Sequence, residues 1–281
     1  MQHVGKHMKH SYLLLIILIS SSCSNLKYLN EFKGLNSKPK IVESRLFEVK
    51  NNDIEKARNN SYKDVIEFDY KGRIINQQNF KPDGSINSGC GLEYVYLKNG
   101  NIKQTKSYKS DGSINSQTDY FYNSKNQLIR LETKWGVTKH FFYKNGNLVK
   151  ETGTKKGKFY YNTELKYDNK NKKIESKSFT ENGNFKSLIK FYYDKNGYIS
   201  GTDWYSKKDR PHSIYRSIND DFGNRIEHIR YSIKGSDTTL VFKEKTVYEY
   251  DKNKNILKSI STLDDKPNLK WITENKYIYW N

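Results

Sequence analysis

The chain has 281 residues, of which 29% are charged and 35% belong to the hydrophobic class, with a formal net charge of +19 and a mean hydropathy of −0.95. Such polarity suits a disordered polymer, yet 23 Tyr, 13 Phe and 4 Trp run along its length, and disordered chains are poor in aromatics. With only 4 Pro and 17 Gly, a collagenous or linker-like chain is excluded. What remains is a fold whose core is largely Tyr, its rings buried and its hydroxyls near water. Only eight of the 50 basic residues are Arg, and the Lys are scattered among Asn, Ser and Asp. That distribution argues against nucleic-acid binding, which favours Arg and dense basic stripes. It suits solvated Lys on strand faces, with an attraction for anionic polymers or an acidic partner.

Residues 1–22 read as a secretory leader. Lys6, His7, Lys9 and His10 precede an apolar run from Tyr12 to Ile19, and Ser20, Ser21 and Ser22 lead into Cys23. The run is too short to span a bilayer, which takes about 20 residues, but suits the core of a signal peptide. Small residues before a cysteine resemble the bacterial lipobox, in which that cysteine is acylated and becomes the new N-terminus. Cys23 is therefore the expected lipidation site, residues 23–37 a polar tether, and the cell envelope the expected location, with two or more acyl chains giving stable attachment. Loss of the leader removes Lys6 and Lys9 and takes the net charge from +19 to +17. Cys90 is then the one remaining cysteine, so no intramolecular disulfide is expected and the fold stands on packing.

Residues 38–281 carry a tandem repeat, opened by a strand-like stretch at Lys40–Phe47. Two aromatic or aliphatic residues two apart are followed by Asp or Asn, then Gly or Asn three later, then Ile or Leu two after that. The first copy is Phe68, Asp69, Gly72 and Ile74; the next, Tyr94, Tyr96, Gly100 and Ile102. Tyr120, Tyr122, Asn126 and Leu128 follow, then Phe141, Tyr143, Gly146 and Leu148 with one residue deleted. Tyr167 and Asp168 lead to Asn171 and, with one residue inserted, Ile174; Tyr193, Asp194, Gly197 and Ile199 are cleaner. A worn copy at Asp220–Gly223 precedes Tyr248, Tyr250, Asp251 and Ile256, and Tyr277–Trp280 is a half copy. From Asp69 to Asp251 seven intervals span 182 residues, a mean of 26. Between copies lies a second turn signal, as in Asp83-Gly84, Asp111-Gly112 and Asn182-Gly183.

Each repeat thus holds two turns and two strands, because Asp-Gly and Asn-Gly supply the φ > 0 that tight hairpins need. Aromatics two apart share one face of a strand, and the Lys, Ser and Thr between them are expected on the other. The spacing predicts an all-β fold, a long antiparallel meander of about 16 strands without helix, and an open sheet that wide curls on itself. The Tyr, Ile and Leu stripe is expected inside, with Trp271, Tyr277, Tyr279 and Trp280 capping the last repeat.

This spacing resembles the YD repeats of the RHS family, particularly the short YD-repeat lipoproteins of Bacteroidota, over about residues 38–281. The resemblance implies the β-architecture and a loose association with carbohydrate binding and surface contact. In large RHS proteins such repeats wind into a shell around a toxic C-terminal segment; with so short an array, that encapsulating role is not expected here.

The chemistry of an active site is not visible. His140, His212 and His228 lie far apart, and no His-x-x-x-His, Cys-x-x-Cys, Gly-x-Ser-x-Gly or phosphate loop occurs, so neither metal nor cofactor is expected. Asp251–Asn255 has the start of a calcium loop but Ile256 where Gly is required. The repeat aspartates instead have a turn to close by accepting backbone N–H groups. The expected function is a non-enzymatic, monomeric envelope lipoprotein that binds polysaccharide, with anionic polysaccharide as the expected partner, or another envelope protein, with Trp135, Tyr198 and Trp204 as candidate ligand contacts. The runner-up is an immunity protein that neutralises a polymorphic toxin.

Overall fold

A computed structural model of the chain describes residues 38–50, 52–87, 91–109, 111–206 and 209–280. The leader, Cys23, the tether and Cys90 lie outside the described residues. The elements are β1 (Pro39–Lys50), α1 (Ile54–Asn59), β2 (Lys63–Phe68), β3 (Ile74–Phe80), β4 (Leu92–Tyr96), β5 (Ile102–Tyr108), β6 (Ile114–Tyr122), β7 (Leu128–Thr133), β8 (Val137–Lys144) and β9 (Asn147–Lys155). They continue as β10 (Lys158–Tyr167), β11 (Lys173–Phe179), β12 (Phe185–Tyr193), β13 (Ile199–Tyr205), β14 (Ser213–Asn219), β15 (Arg225–Lys234), β16 (Asp237–Tyr250), β17 (Ile256–Leu263) and β18 (Lys266–Tyr279).

Every strand pairs antiparallel with the next, and β1 also pairs with β18 from Pro39↔Tyr279 to Lys50↔Leu269. The meander is therefore a closed, 18-stranded barrel. The curling expected from the sequence is present; the capping of the last repeat is not, because β18 is the strand that closes the ring. Closure removes both sheet edges and with them the need for caps.

The turns show how the repeat bends the sheet. The Oδ1 atoms of Asp69, Asn123, Asp168, Asp194, Asp220 and Asp251 each accept N–H groups two and four residues on, at 2.8–3.0 Å. The worn copy at Asp220 makes the same turn as the others. Past each such turn the returning strand carries a β-bulge, as where Phe68 pairs with Ile74 but Glu67 with Asn76. The same step recurs in β5, β7, β9, β11, β13, β15 and β17. Bulges increase twist and bend the bulged strand, which is what a meander needs to close.

Partners across a ladder share a face, so register traced around the ring assigns each residue inward or outward. The buried residues Val42, Phe68, Ile74, Tyr94, Ile102, Leu128, Leu131, Phe141, Leu263 and Trp271 all fall on one face, the enclosed one. Two clusters dominate it: Val42, Phe68, Ile74, Tyr94 and Ile102 on β1–β5, and Leu128, Leu131 and Phe141 on β7–β8. The Tyr, Ile and Leu of the repeat motif are inside as expected, whereas Tyr192 and Ile218, between motif positions, face outward. Ser and Thr are not all outside, however. The bulge resets the alternation, and pairs such as Ser107–Ser116 (2.7 Å) and Thr246–Ser261 (2.8 Å) bond to each other on the inner face.

The repeat tyrosines have a second task besides burial. Between successive hairpins the ladder stops short of the Asp-turn rim; between β5 and β6 its last pair there is Gln104↔Asp119. Three residues beyond, the Tyr122 hydroxyl donates to the Ile102 carbonyl that the ladder leaves open, at 2.8 Å. Tyr96, Tyr167, Tyr193, Tyr248 and Tyr277 do the same for Ile74, Leu148, Lys173, Arg225 and Ile256, at 2.5–3.1 Å. In the worn copy the Asn219 amide takes over, donating to the Ile199 carbonyl at 3.0 Å.

The one helix among the described residues was not expected. Asp53 caps it by accepting the Lys56 N–H at 3.1 Å, and six residues are too few for a readable helical period. It lies on the outer face, where its Ala57 helps cover Phe47, Val49 and Ile272. Arg58 clamps it by donating through two nitrogens to Glu274 of β18, each at 2.7 Å. The rest of the outer face carries charged pairs such as Lys166–Glu175 (3.2 Å) and Lys243–Glu227 (3.1 Å). Exposed apolar side chains such as Phe142, Tyr192 and Val247 stand among them.

Candidate ligand-binding wall inside the barrel

The inner face changes character around the ring. Over β2–β8 it is closely packed with aliphatic residues and rings such as Phe68, Tyr94 and Phe141; over β8–β16 charged side chains join the rings. On β13, Trp204 points inward and is 41% exposed, and Ile199 on the same face at the other end of the strand is 46% exposed. The Trp204 indole N–H donates to Thr202 Oγ1 at 2.9 Å, which fixes the ring.

From Trp204 a row of rings crosses four strands. Trp204 and Tyr215 of β14 lie 5.9 Å apart and tilted by 57°. Tyr215 stacks on His228 of β15 at 5.7 Å and 21°, and His228 meets the edge of Phe242 of β16 at 5.1 Å and 72°. Arg230 lies over the Tyr215 ring at 5.6 Å, with its Nε buried and without a hydrogen-bond partner. Glu244, only 3% exposed, places Oε2 3.8 Å from His228 Nδ1. Burial holds the His228 imidazole below its usual pKa, and Arg225 adds to this while Glu244 opposes it, so the ring is neutral at neutral pH.

A second cluster adjoins it on β8–β12. The Tyr161 hydroxyl donates to Glu151, which also pairs with Lys139 at 3.6 Å, while Lys139 lies 5.4 Å from the Tyr161 ring. Lys173 Nζ sits 4.4 Å over the Phe191 ring, and burial lowers its pKa against the pull of Glu151. Lys173 is itself a correction: it pairs with Tyr167 in the place that Ile74 holds opposite Phe68, and Ile174 falls on the bulge. No residue is inserted in this copy, since Asn171 takes a left-handed φ of +60° at the position where Gly72 takes +79° in the first. The Tyr161 ring lies across Gly153, where a Cβ would come within 2.2 Å of a ring carbon. Gly153→Ala is expected to push the ring off Glu151 and lower stability by about 1–3 kcal/mol. A urea midpoint equal to wild type would contradict this arrangement.

The other two candidate contacts lie elsewhere. Trp135, 60% exposed, is in the β7–β8 turn with Lys134 Nζ 5.9 Å from its ring, at the rim opposite the Asp turns. Tyr198 is in an Asp turn; its ring lies against Gly223 of the next such turn, where a Cβ would come within 2.4 Å, and its hydroxyl donates to the Asp221 carbonyl at 3.4 Å. It joins two turns. The structure therefore does not bring Trp135, Tyr198 and Trp204 together. Sequence reasoning missed Tyr215, His228, Arg230, Phe242 and Glu244. The available signal was alternation: Arg225, His228 and Arg230, then Phe242 and Glu244, on one face of two paired strands.

No protein-family model matches the chain, and no curated protein matches it in sequence. Among solved structures it is similar to a porin-like protein from Bacteroides uniformis at 10% identity, covering 86% of this chain and 97% of that one with a TM-score of 0.46. It is also similar to part of the Tc holotoxin pore of Photorhabdus luminescens, at 12% identity over 80% of this chain and 15% of that one, TM-score 0.38. A TcdB2–TccC3 complex gives 12% identity, the same coverages and a TM-score of 0.31.

Proposed function

We propose that the protein is a non-enzymatic binding module of the bacterial cell envelope, a short YD-repeat-type lipoprotein held by Cys23, whose ligand seat is the inner wall over β13–β16. The observation that carries the reading is the exposed, inward Trp204 at the head of a ring row that ends on Phe242. An exposed aromatic face at the end of a ring row, beside side chains that can hydrogen-bond, suits a sugar chain. The export leader and the +17 charge support an envelope polymer as the source of that sugar.

A catalytic use of the wall is less well supported. Ser217, His228 and Glu244 do stand opposite one another on three successive strands. His228 and Glu244, however, are 3.8 Å apart, longer than a hydrogen bond, and these strands commit their backbone N–H groups to the ladder, where an oxyanion would need them.

Wild type is expected to bind at least one saccharide on a glycan array, with Trp204→Ala reducing affinity about tenfold and Trp135→Ala leaving it unchanged. A wild-type chain that binds no glycan would overturn the reading. An envelope pull-down that returned a toxin would then favour the immunity function.

A further inference from the structure

Resting on the reading that this wall is a saccharide seat, we infer that its ligand is acidic: a chain of sugar rings bearing carboxylates. The repeat itself points to charge recognition. Six copies place an aliphatic side chain at the inward position after the Asp turn or its equivalent: Ile74, Ile102, Leu128, Leu148, Ile199 and Ile256. Two copies place a cation there: Lys173 of β11, beside the Phe191 ring of β12, and Arg225 of β15, the strand that carries His228. An aliphatic residue at that position contributes burial, whereas a cation must be desolvated, so burial alone does not favour the exchange.

The charge of the wall is unbalanced in the same sense. Lys139, Lys173, Arg225 and Arg230 face inward across β8–β16, against the carboxylates of Glu151 and Glu244. Both carboxylates are engaged locally, Glu151 by Tyr161 and Lys139, and Glu244 beside His228. The Arg230 Nε is buried without a hydrogen-bond partner, a cost that a bound carboxylate at this guanidinium would offset. Ser213, Ser217 and Ser232 share the inner face with the rings and add the neutral donors and acceptors that sugar hydroxyls need.

The test is calorimetric titration of the full chain with an oligogalacturonate, its methyl ester and a cello-oligosaccharide of equal length. The acid is expected to bind, more weakly as salt rises, and the two neutral sugars to bind at least about tenfold less well. Lys173→Leu and Arg225→Leu restore the aliphatic residue of the other repeats. Each should weaken the acid about tenfold while leaving the thermal midpoint equal or higher. Trp204→Ala should weaken all three sugars. Equal affinity for the acid and its ester would overturn the inference and leave the saccharide reading intact. The inference also fails if none of the three binds while an array shows another glycan that does, and an array without any hit removes the saccharide reading itself.

Discussion

Ending the chain at Asp265, which removes β18, is expected to abolish cooperative folding rather than shorten the array by one strand. In an open solenoid each unit touches only its neighbours, so losing the last one subtracts a single repeat's stability. Here β18 supplies the pairing partner of β1 at eleven positions as well as that of β17. Its loss uncovers two edges, strips Ile272 from the outer cluster over Phe47 and Val49, and removes Glu274, the partner of Arg58 in the helix clamp. The truncated chain should show no cooperative thermal transition and should self-associate through its bare edges. A circular permutant is the control. Pro39 and Tyr279 are partners, so a short linker can join the ends, and new termini opened at the Lys156-Gly157 turn should leave the barrel folded. A truncated chain melting cooperatively near the wild-type midpoint would show that the ring need not close.

Much of this ring is legible in the chain because the repeat is local. Asp69, Asp168, Asp194 and Asp251 announce turns by residue type alone, and each turn is where the spacing puts it. The closure is not legible, since it joins β1 to β18 across more than two hundred residues that carry no mark of pairing. Nor is the inner position of many Ser and Thr, because one bulged residue per hairpin reverses the alternation and leaves no signature in composition. Lys173 shows the same effect: reading for an aliphatic residue selects Ile174, and only register shows that the lysine faces in. The ring row was hidden for a different reason. Trp204, Tyr215, His228 and Phe242 stand on four strands, and their proximity depends on three registers at once.

Phe68→Ala is expected to cost about 3–5 kcal/mol, whereas Tyr96→Phe should cost only about 1 kcal/mol. Phe68 stands where later copies have Tyr, and the ladder explains the missing hydroxyl. The β1–β2 ladder runs out to Ile41↔Glu67, one residue from Phe68, whereas the β3–β4 ladder stops at Asn76↔Glu93, three residues short of Tyr96. Backbone partners serve the carbonyls beside Phe68, so a hydroxyl there would gain nothing and a ring alone fills the space. That ring is 2% exposed, packed with Val42, Ile74, Tyr94 and Ile102 in the largest buried cluster. Deleting it removes the transfer energy and leaves a cavity that the closed ring around it cannot collapse to fill. Tyr96→Phe keeps the ring and forfeits one hydrogen bond to the Ile74 carbonyl. Since a domain's whole stability is about 5–15 kcal/mol, the first change approaches global unfolding and the second does not. Urea midpoints with an unchanged m-value would separate them. Equal losses for the two variants would mean that the hydroxyl ladder, and not the packed apolar sector of the inner wall, carries the fold.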